Sequence, residues 1–505
     1  MKKIKTITMY LPQFHQIPEN DKWWGEGYTD WMAVKASKPF YEGHQQPRIP
    51  LNDNYYDLME KKTMIWQADL MHQYGIDGQC FYHYYFQDGR KILEKPAENL
   101  LGWKNIDMPF CFCWDSGRWA RTWSNIPGNA WADTFEKKRN KDYEGVLLEQ
   151  KLGGKEDWLR HFEYLFPFFN DIRYIKVEGL PVFIIHDPER IYCLNEMMEY
   201  WKQLAKQMGL PGIYVIGSNL KYKIPGVDAI LLHSPHMFWK LEKDNTKQGL
   251  SVCDYEETWE MIIKTSPSSR CKTYYMGITD YDDTPRRGKN GIVLQNYSID
   301  KFYENLCKLY KKSISMGNEF LFINAWNEWG EGMYLEPDNK MGYKYLEAVK
   351  QAQTDAELVN DNEEIMYDAS CAVDTVEIVG KLYDKSKRIN RCLGKWMTLR
   401  EEEKTVDKYL CQLGIKKIAV YGIGILGRYL VEQLQDSTVE VSYLIDRVST
   451  KQITGYKTVT PYEELEDVDA IIITVVGEFE NVCDVLKDKT DARLMGLEEL
   501  IYEKI

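Results

Sequence analysis

The chain has 505 residues, 44% hydrophobic and 28% charged: too long for one hydrophobic core and too apolar for a disordered protein. Its 64 basic and 77 acidic residues leave a net charge of −13, so no basic surplus meets phosphates and nucleic acid is excluded as the main partner. Eleven scattered cysteines without a CxxC pair read as reduced thiols, not as a disulfide framework.

The N-terminal MKKIKTITMYLPQFH carries lysines but no apolar run of signal-peptide length. No stretch approaches the ~20 apolar residues of a membrane span. The expectation is a cytoplasmic protein without a transmembrane segment. Short apolar, β-rich runs then recur at residues 4–11, 78–86, 109–114, 181–187, 213–219, 228–234, 273–280 and 320–326. Several are continuously apolar, as parallel strands covered on both faces are. Helical spacing occupies residues 58–74, 158–169, 194–208, 255–265, 299–316 and 343–353. Alternating strands and helices predict an α/β fold, a (β/α)8 TIM barrel over residues 1–353. An open doubly wound sheet is the alternative.

The ends of these strands are polar. They carry Gln13 and His15, then His83 and Tyr84, Trp114 and Asp115, His186 and Asp187, Asn219, His233 and Asp280. The eighth runs into Asn327, Glu328 and Glu331. In a barrel all of these meet at one face, the catalytic one. Fifteen of the sixteen tryptophans precede residue 350, and all eight histidines lie between His15 and His236. Such residues suit a groove for sugar rings, whose C–H faces stack on aromatics while their hydroxyls need hydrogen bonds. A large domain that simply buries its aromatics would share this composition.

Residues 354–412 are charged, show helical spacing and read as a helical connector. Residues 413–505 read as a small Rossmann-like α/β module. A strand at 418–421 runs into Gly422, Gly424 and Gly427, a GxGxxG turn before a helix. A second strand, 441–445, ends in Asp446, where an acidic group would meet a ribose hydroxyl. A third covers 470–475. The glycines would let a phosphate approach the helix N-terminus, so the cofactor expected here is a dinucleotide or nucleotide. A degenerate or regulatory module fits the same residues, and the unit resembles small Rossmann-like modules appended to bacterial sugar-processing enzymes.

NAWNEWGEGMYLEP, residues 324–337, holds the strongest local signal. Glu328 and Glu331 directly follow the eighth strand, among Trp326, Trp329, Gly330 and Gly332. Two carboxylates in one aromatic pocket push each other's pKa apart, leaving one as base and one as acid, the minimum for making or breaking a glycosidic bond. Metal chemistry is the weakest reading. His233 and His236 lie beside Pro235, and no HExxH appears.

Together, TMYLPQFHQIPENDKWWGEGYTDW, YGIDGQCFYHYYF, CFCWDSGRW and NAWNEWGEGMYLEP resemble the WbsX family of bacterial polysaccharide glycosyltransferases, related to glycoside hydrolase family 99, the endo-α-mannosidases. The resemblance covers about residues 4–350. It implies a (β/α)8 barrel that needs no cofactor, with Glu328 and Glu331 matching an E-W-x-E pair. In the hydrolase relatives one glutamate activates the substrate's 2-hydroxyl, which attacks the anomeric carbon, and the other protonates the leaving oxygen. Carried over, Glu328 is the base and Glu331 the acid/base. Tyr10, His15, Trp24, Trp31, His83, Tyr84, Trp114, Asp115, His186, Trp326 and Asn327 are expected to line the glycan cleft. The implied partner is an oligosaccharide or lipid-linked glycan, handled at the inner face of the membrane during O-antigen or capsule synthesis. A non-catalytic glycan-binding scaffold and a nicotinamide oxidoreductase are the competing readings.

Overall fold

The computed structural model describes residues 3–120, 146–244, 247, 249–358, 376–447 and 453–505. By its contacts the chain divides into two units, Met1–Glu377 and Ile378–Ile505.

The first unit is a closed parallel barrel. Its strands are β1 (Lys5–Tyr10), β2 (Gly78–Tyr85), β3 (Phe110–Asp115), β4 (Leu180–His186), β5 (Tyr214–Ser218), β6 (Ala229–Leu232), β7 (Lys272–Ile278) and β8 (Phe320–Asn324). Each pairs with its sequence neighbours, and β1 closes the ring: Lys5 lies opposite Phe320 of β8, Ile7 opposite Gly78 of β2. Closure removes the open-sheet alternative. Most strand residues are buried because both faces of the sheet are covered; all five residues of β8 are buried.

Among the described residues, helices α1 (Lys61–Tyr74), α2 (Lys95–Gly102), α3 (Lys155–Phe169), α4 (Leu194–Gln207), α5 (Tyr255–Lys264), α6 (Ile299–Ser315) and α7 (Lys344–Leu358) wrap the ring. Local chemistry sets their ends. Gly75 stops α1 in the left-handed region, Asp254 caps α5 by accepting from Glu256 and Glu257, and Ser298 caps α6. Helix α2, only eight residues long, was not legible in the sequence. Residues 219–228 join β5 to β6 without a helix.

The second unit holds a five-stranded parallel sheet: β9 (Lys417–Tyr421), β10 (Glu440–Ile445), β11 (Lys457–Val459), β12 (Ala470–Ile473) and β13 (Arg493–Gly496), in the order β11-β10-β9-β12-β13. This is a doubly wound arrangement with its switch beside β9. Helices α8 (Val376–Glu401) and α9 (Val406–Gln412) precede it. Cys392, Trp396, Leu399, Val406 and Leu410 pack in the core with Ile418, Leu430 and Ala470. The stretch expected as a connector thus supplies core to this unit; its residues 359–375 lie outside the described residues. Among the described residues no helix is long and apolar enough to cross a membrane.

Candidate active site

Past β8 the chain makes a short hairpin in which Asn327–Glu328 pairs with Met333–Tyr334. A single 3-10 turn, Trp329–Glu331, forms its tip, and Gly332 closes the turn at φ 66°. The turn aims both glutamates at one guanidinium, that of Arg286. Arg286 sits on a one-turn helix, Thr284–Arg287, beyond β7. Its Nη2 donates to Glu328 at 2.9 Å and its Nη1 to Glu331 at 2.7 Å. Buried Asp30 takes the other edge of the fork, accepting from Nε at 3.2 Å and Nη2 at 3.0 Å. Gly330 makes room: a Cβ there would stand 2.5 Å from Arg286 Nε and 2.6 Å from Asp30 Oδ2. Neither Arg286 nor Asp30 stood out in the sequence, since each lies far from the glutamates along the chain.

Burial pushes the Glu328 carboxyl up to about 8; Arg286 pulls it down and the charge of Glu331 pushes it further up. The two glutamates differ in access, with side chains 8% and 23% exposed respectively. The pair therefore has the asymmetry of one enclosed carboxyl that retains a proton and one that meets solvent.

The turn is braced from behind. Glu336, 1% exposed, accepts from Trp326 Nε1 (2.9 Å) and Gln67 Nε2 (2.8 Å) on one oxygen. Its other oxygen accepts from Trp329 Nε1 (2.7 Å) and the Tyr56 hydroxyl (2.8 Å). Both tryptophans flanking Glu328 are thereby tied to one carboxylate. Asn327 is fully buried and joins the turn to β1, accepting from the Leu11 N–H at 2.7 Å and donating to the Leu11 carbonyl at 3.0 Å. On the side of Glu331, Arg48 donates to the Gly332 carbonyl and pairs with Asp280 at 2.7 Å. The Asp282 N–H meets the Glu331 carbonyl at 2.7 Å.

Strand alternation sorts the expected cleft residues. On β2, His83 points outward into the helix layer, where its Nε2 lies 2.8 Å from His161 Nε2 of α3. Tyr82 and Tyr84 point the other way, and the charge of Glu328 acts on both hydroxyls. The expectation for His83 is thus corrected to Tyr82, one residue away, because successive side chains alternate faces. Trp114 also faces outward, its ring 5.0 Å from that of His161. Tyr10 faces α1, donating to Gln67 at 2.8 Å. Trp326 and Asn327 are fully buried and spend their polar groups on the bracing just described. Trp31 lies beneath the turn, 5.5 Å from Trp329, with its N–H on the Tyr56 carbonyl. These five residues shape the site from behind and are not cleft lining.

Asp115 and Trp24 lie around Tyr84, on which the charge of Glu328 acts. Asp115 is partly exposed, and its charge acts on Tyr84. Trp24 shares a small apolar cluster with Tyr84 and Trp119. His186, partly exposed, lies 4.9 Å from the His233 ring. His15 is 1% exposed, and burial drops it to about 4. His236, which the sequence offered only beside His233 as a weak metal candidate, lies 4.5 Å from Trp239 and close enough to Glu331 to feel its charge. Among the described residues no group of three or more His, Cys, Asp or Glu side chains is placed to hold a metal ion.

In the second unit the three glycines differ. A Cβ on Gly427 would lie 1.9 Å from the Gly422 carbonyl oxygen, whereas one on Gly424 would meet nothing within 4 Å. Asp446, expected near a ribose, accepts the Ile423 N–H at 2.8 Å within the glycine loop itself.

Among curated proteins the chain is 31% identical over 363 residues to protein WxcX of Xanthomonas campestris pv. campestris, strains B100 and ATCC 33913, covering 69% of this chain. It spans about half the length of these relatives. Among solved structures, the GH99 endo-alpha-mannosidase from Bacteroides thetaiotaomicron aligns at 14% identity with a TM-score of 0.41, covering 70% of this chain and 97% of that one. The family 5 xyloglucanase from Paenibacillus pabuli aligns at 8% identity with a TM-score of 0.38, covering 70% and 99%. The family model described as glycosyltransferase WbsX matches residues 6–349, the barrel with its turn of paired glutamates, and the chain belongs to that family.

Proposed function

We propose that the barrel unit is a glycan-active enzyme of bacterial surface polysaccharide synthesis, and that it transfers or cleaves glycosidic bonds with retention using Glu328 and Glu331. The observation that carries this reading is the pair of glutamates on one arginine, at 2.9 and 2.7 Å, with Tyr82, Tyr84 and His236 within reach of their charge. A glycosidic bond needs one group to take a proton and another to give one, and two unequal carboxyls supply both. In the family mechanism Glu328 activates the sugar's 2-hydroxyl, and Glu331 protonates the leaving oxygen and then activates the acceptor. Burial holds the proton on Glu328, so a proton has to pass from Glu328 to Glu331 before the two can act as base and acid. Water or a sugar hydroxyl serves equally as acceptor, so one geometry supports hydrolysis and transfer.

The test is incubation of the pure protein with lipid-linked oligosaccharides from polysaccharide-producing cells, with and without nucleotide sugars, and mass spectrometry of the products. Glu328→Gln and Glu331→Gln should each lower turnover by ~10²–10⁴ while glycan binding persists. A substrate lacking the 2-hydroxyl should be inert. Undiminished turnover in both variants would refute the assignment.

A further inference from the structure

One guanidinium serves three carboxylates beyond the C-terminal ends of the strands. Asp30 takes the Nε–Nη2 edge of Arg286, Glu328 shares Nη2, and Glu331 takes Nη1. The guanidinium is planar and rigid, so a carboxylate seated on one edge fixes where the other donors point. Exposure is graded across the cluster. The Asp30 side chain is 1% exposed, Glu328 8% and Glu331 23%, so the contact with Glu331 is the one on the solvent side.

We infer that Arg286, clamped by Asp30, is the positioning residue of this site: it spaces Glu328 and Glu331 on one rigid fork, sets the charge that the pair carries, and releases Glu331 when a glycan binds. Only the release step rests on the glycan-active reading.

Three carboxylates around one cation would leave an enclosed site with two negative charges in excess. Like charges at this range cannot all ionise freely, so the cluster retains a proton. Arg286 is what keeps that number low. Its neighbour Arg287 is already paired with Asp283 at 3.1 Å and is 45% exposed. The other groups facing the cluster do not replace it. Tyr28, Tyr82, Tyr84 and Tyr281 have hydroxyls that burial keeps protonated, and burial lowers His236 toward its neutral form. Asp283 adds a further carboxyl near Glu331, raised to about 6 by burial. A carboxyl group seated on a guanidinium favours its ionised form and then has no proton to give. Glu331 therefore has to leave Nη1 to meet a glycosidic oxygen, which frees that N–H for a substrate oxygen.

The test titrates the intact protein labelled with carbon-13 at the glutamate carboxyls, with Glu328→Gln and Glu331→Gln used to assign the two NMR signals. Arg286→Met should raise the titration midpoint of the pair by about one unit or more, because the cation is gone. Arg286→Lys keeps the charge but not the fork, so the midpoint should move by less than about half a unit while glycan turnover falls by about 100-fold. An unchanged midpoint in a folded Arg286→Met protein overturns the inference, as does native turnover in Arg286→Lys. Should Arg286→Met fail to fold, Asp30→Asn carries the test. Removing one neighbouring negative charge should lower the midpoint, and no change overturns the inference. The titrations need no glycan, so they stand or fall separately from the proposed activity.

Discussion

Gly330→Ala probes the close packing of the site with a single methyl group. The added Cβ would lie 2.5 Å from Arg286 Nε, 2.6 Å from Asp30 Oδ2 and 3.0 Å from Arg286 Cζ. To reach ordinary contact at 3.4 Å, the arginine must retreat by about 0.9 Å. Arg286 cannot retreat freely, because Asp30 grips it by two bonds and both are buried. A shift of that size takes the bonds of 2.7 and 2.9 Å to the glutamates out of hydrogen-bond range unless the turn follows. Overpacking of this kind costs about 1–3 kcal/mol, and misplacing reacting groups by an ångström costs about 100-fold in rate. The expected outcome is a folded protein with turnover down by roughly two orders of magnitude. Tryptophan fluorescence follows stability in the barrel unit, since fifteen of the sixteen tryptophans precede residue 350. Gly102→Ala is the control, as its Cβ would meet nothing within 4 Å. Native turnover in Gly330→Ala would show that the close approach of the turn to Arg286 and Asp30 has no part in function.

Three further outcomes follow from the same geometry. Glu336→Leu strips four buried donors of their acceptor; at roughly 1–3 kcal/mol for each unpaired group, this removes most of a domain stability of about 5–15 kcal/mol, and a native unfolding midpoint would refute the bracing role. Glu328 binds its proton more tightly folded than unfolded, so its contribution to stability is fully present below about pH 4.5 and is lost as pH rises to about 8. Glu328→Gln lacks that loss, so urea unfolding should show its advantage over the native protein widening from pH 5 to pH 8; a constant difference would contradict the raised carboxyl. In the second unit, Gly427→Ala should disrupt the loop while Gly424→Ala leaves it intact, read from Trp396, the one tryptophan beyond residue 350. Equal effects at the two glycines would mean that the loop is not packed as described.

Much of the architecture was legible because burial on both faces writes itself into a strand as an unbroken apolar run. All eight barrel strands were legible as short apolar, β-rich runs, several of them unbroken, and so were β9, β10 and β12. The two strands missed in the second unit, Lys457–Val459 and Arg493–Gly496, are short and half-exposed, so their apolar content is slight. Helix α2 escaped for the same reason of length.

The sequence by itself determined the barrel, the position of the paired glutamates after the last strand, and the strand–glycine–helix unit behind it. These depend on local periodicity and on residues close together in the chain. Only the tertiary structure decided which polar strand ends face the glutamates. His83 and Tyr84 are adjacent in sequence, yet one packs against His161 and the other lies within reach of the charge on Glu328. Only folding brought Asp30 and Arg286, 256 residues apart, into contact with each other and with the glutamates. Glu336 had the same obscurity, because a carboxylate written into a loop says nothing of four donors, two from distant parts of the chain and two from its own hairpin. Such contacts join residues that share no local pattern, since closing the barrel fixes their distances and sequence spacing does not.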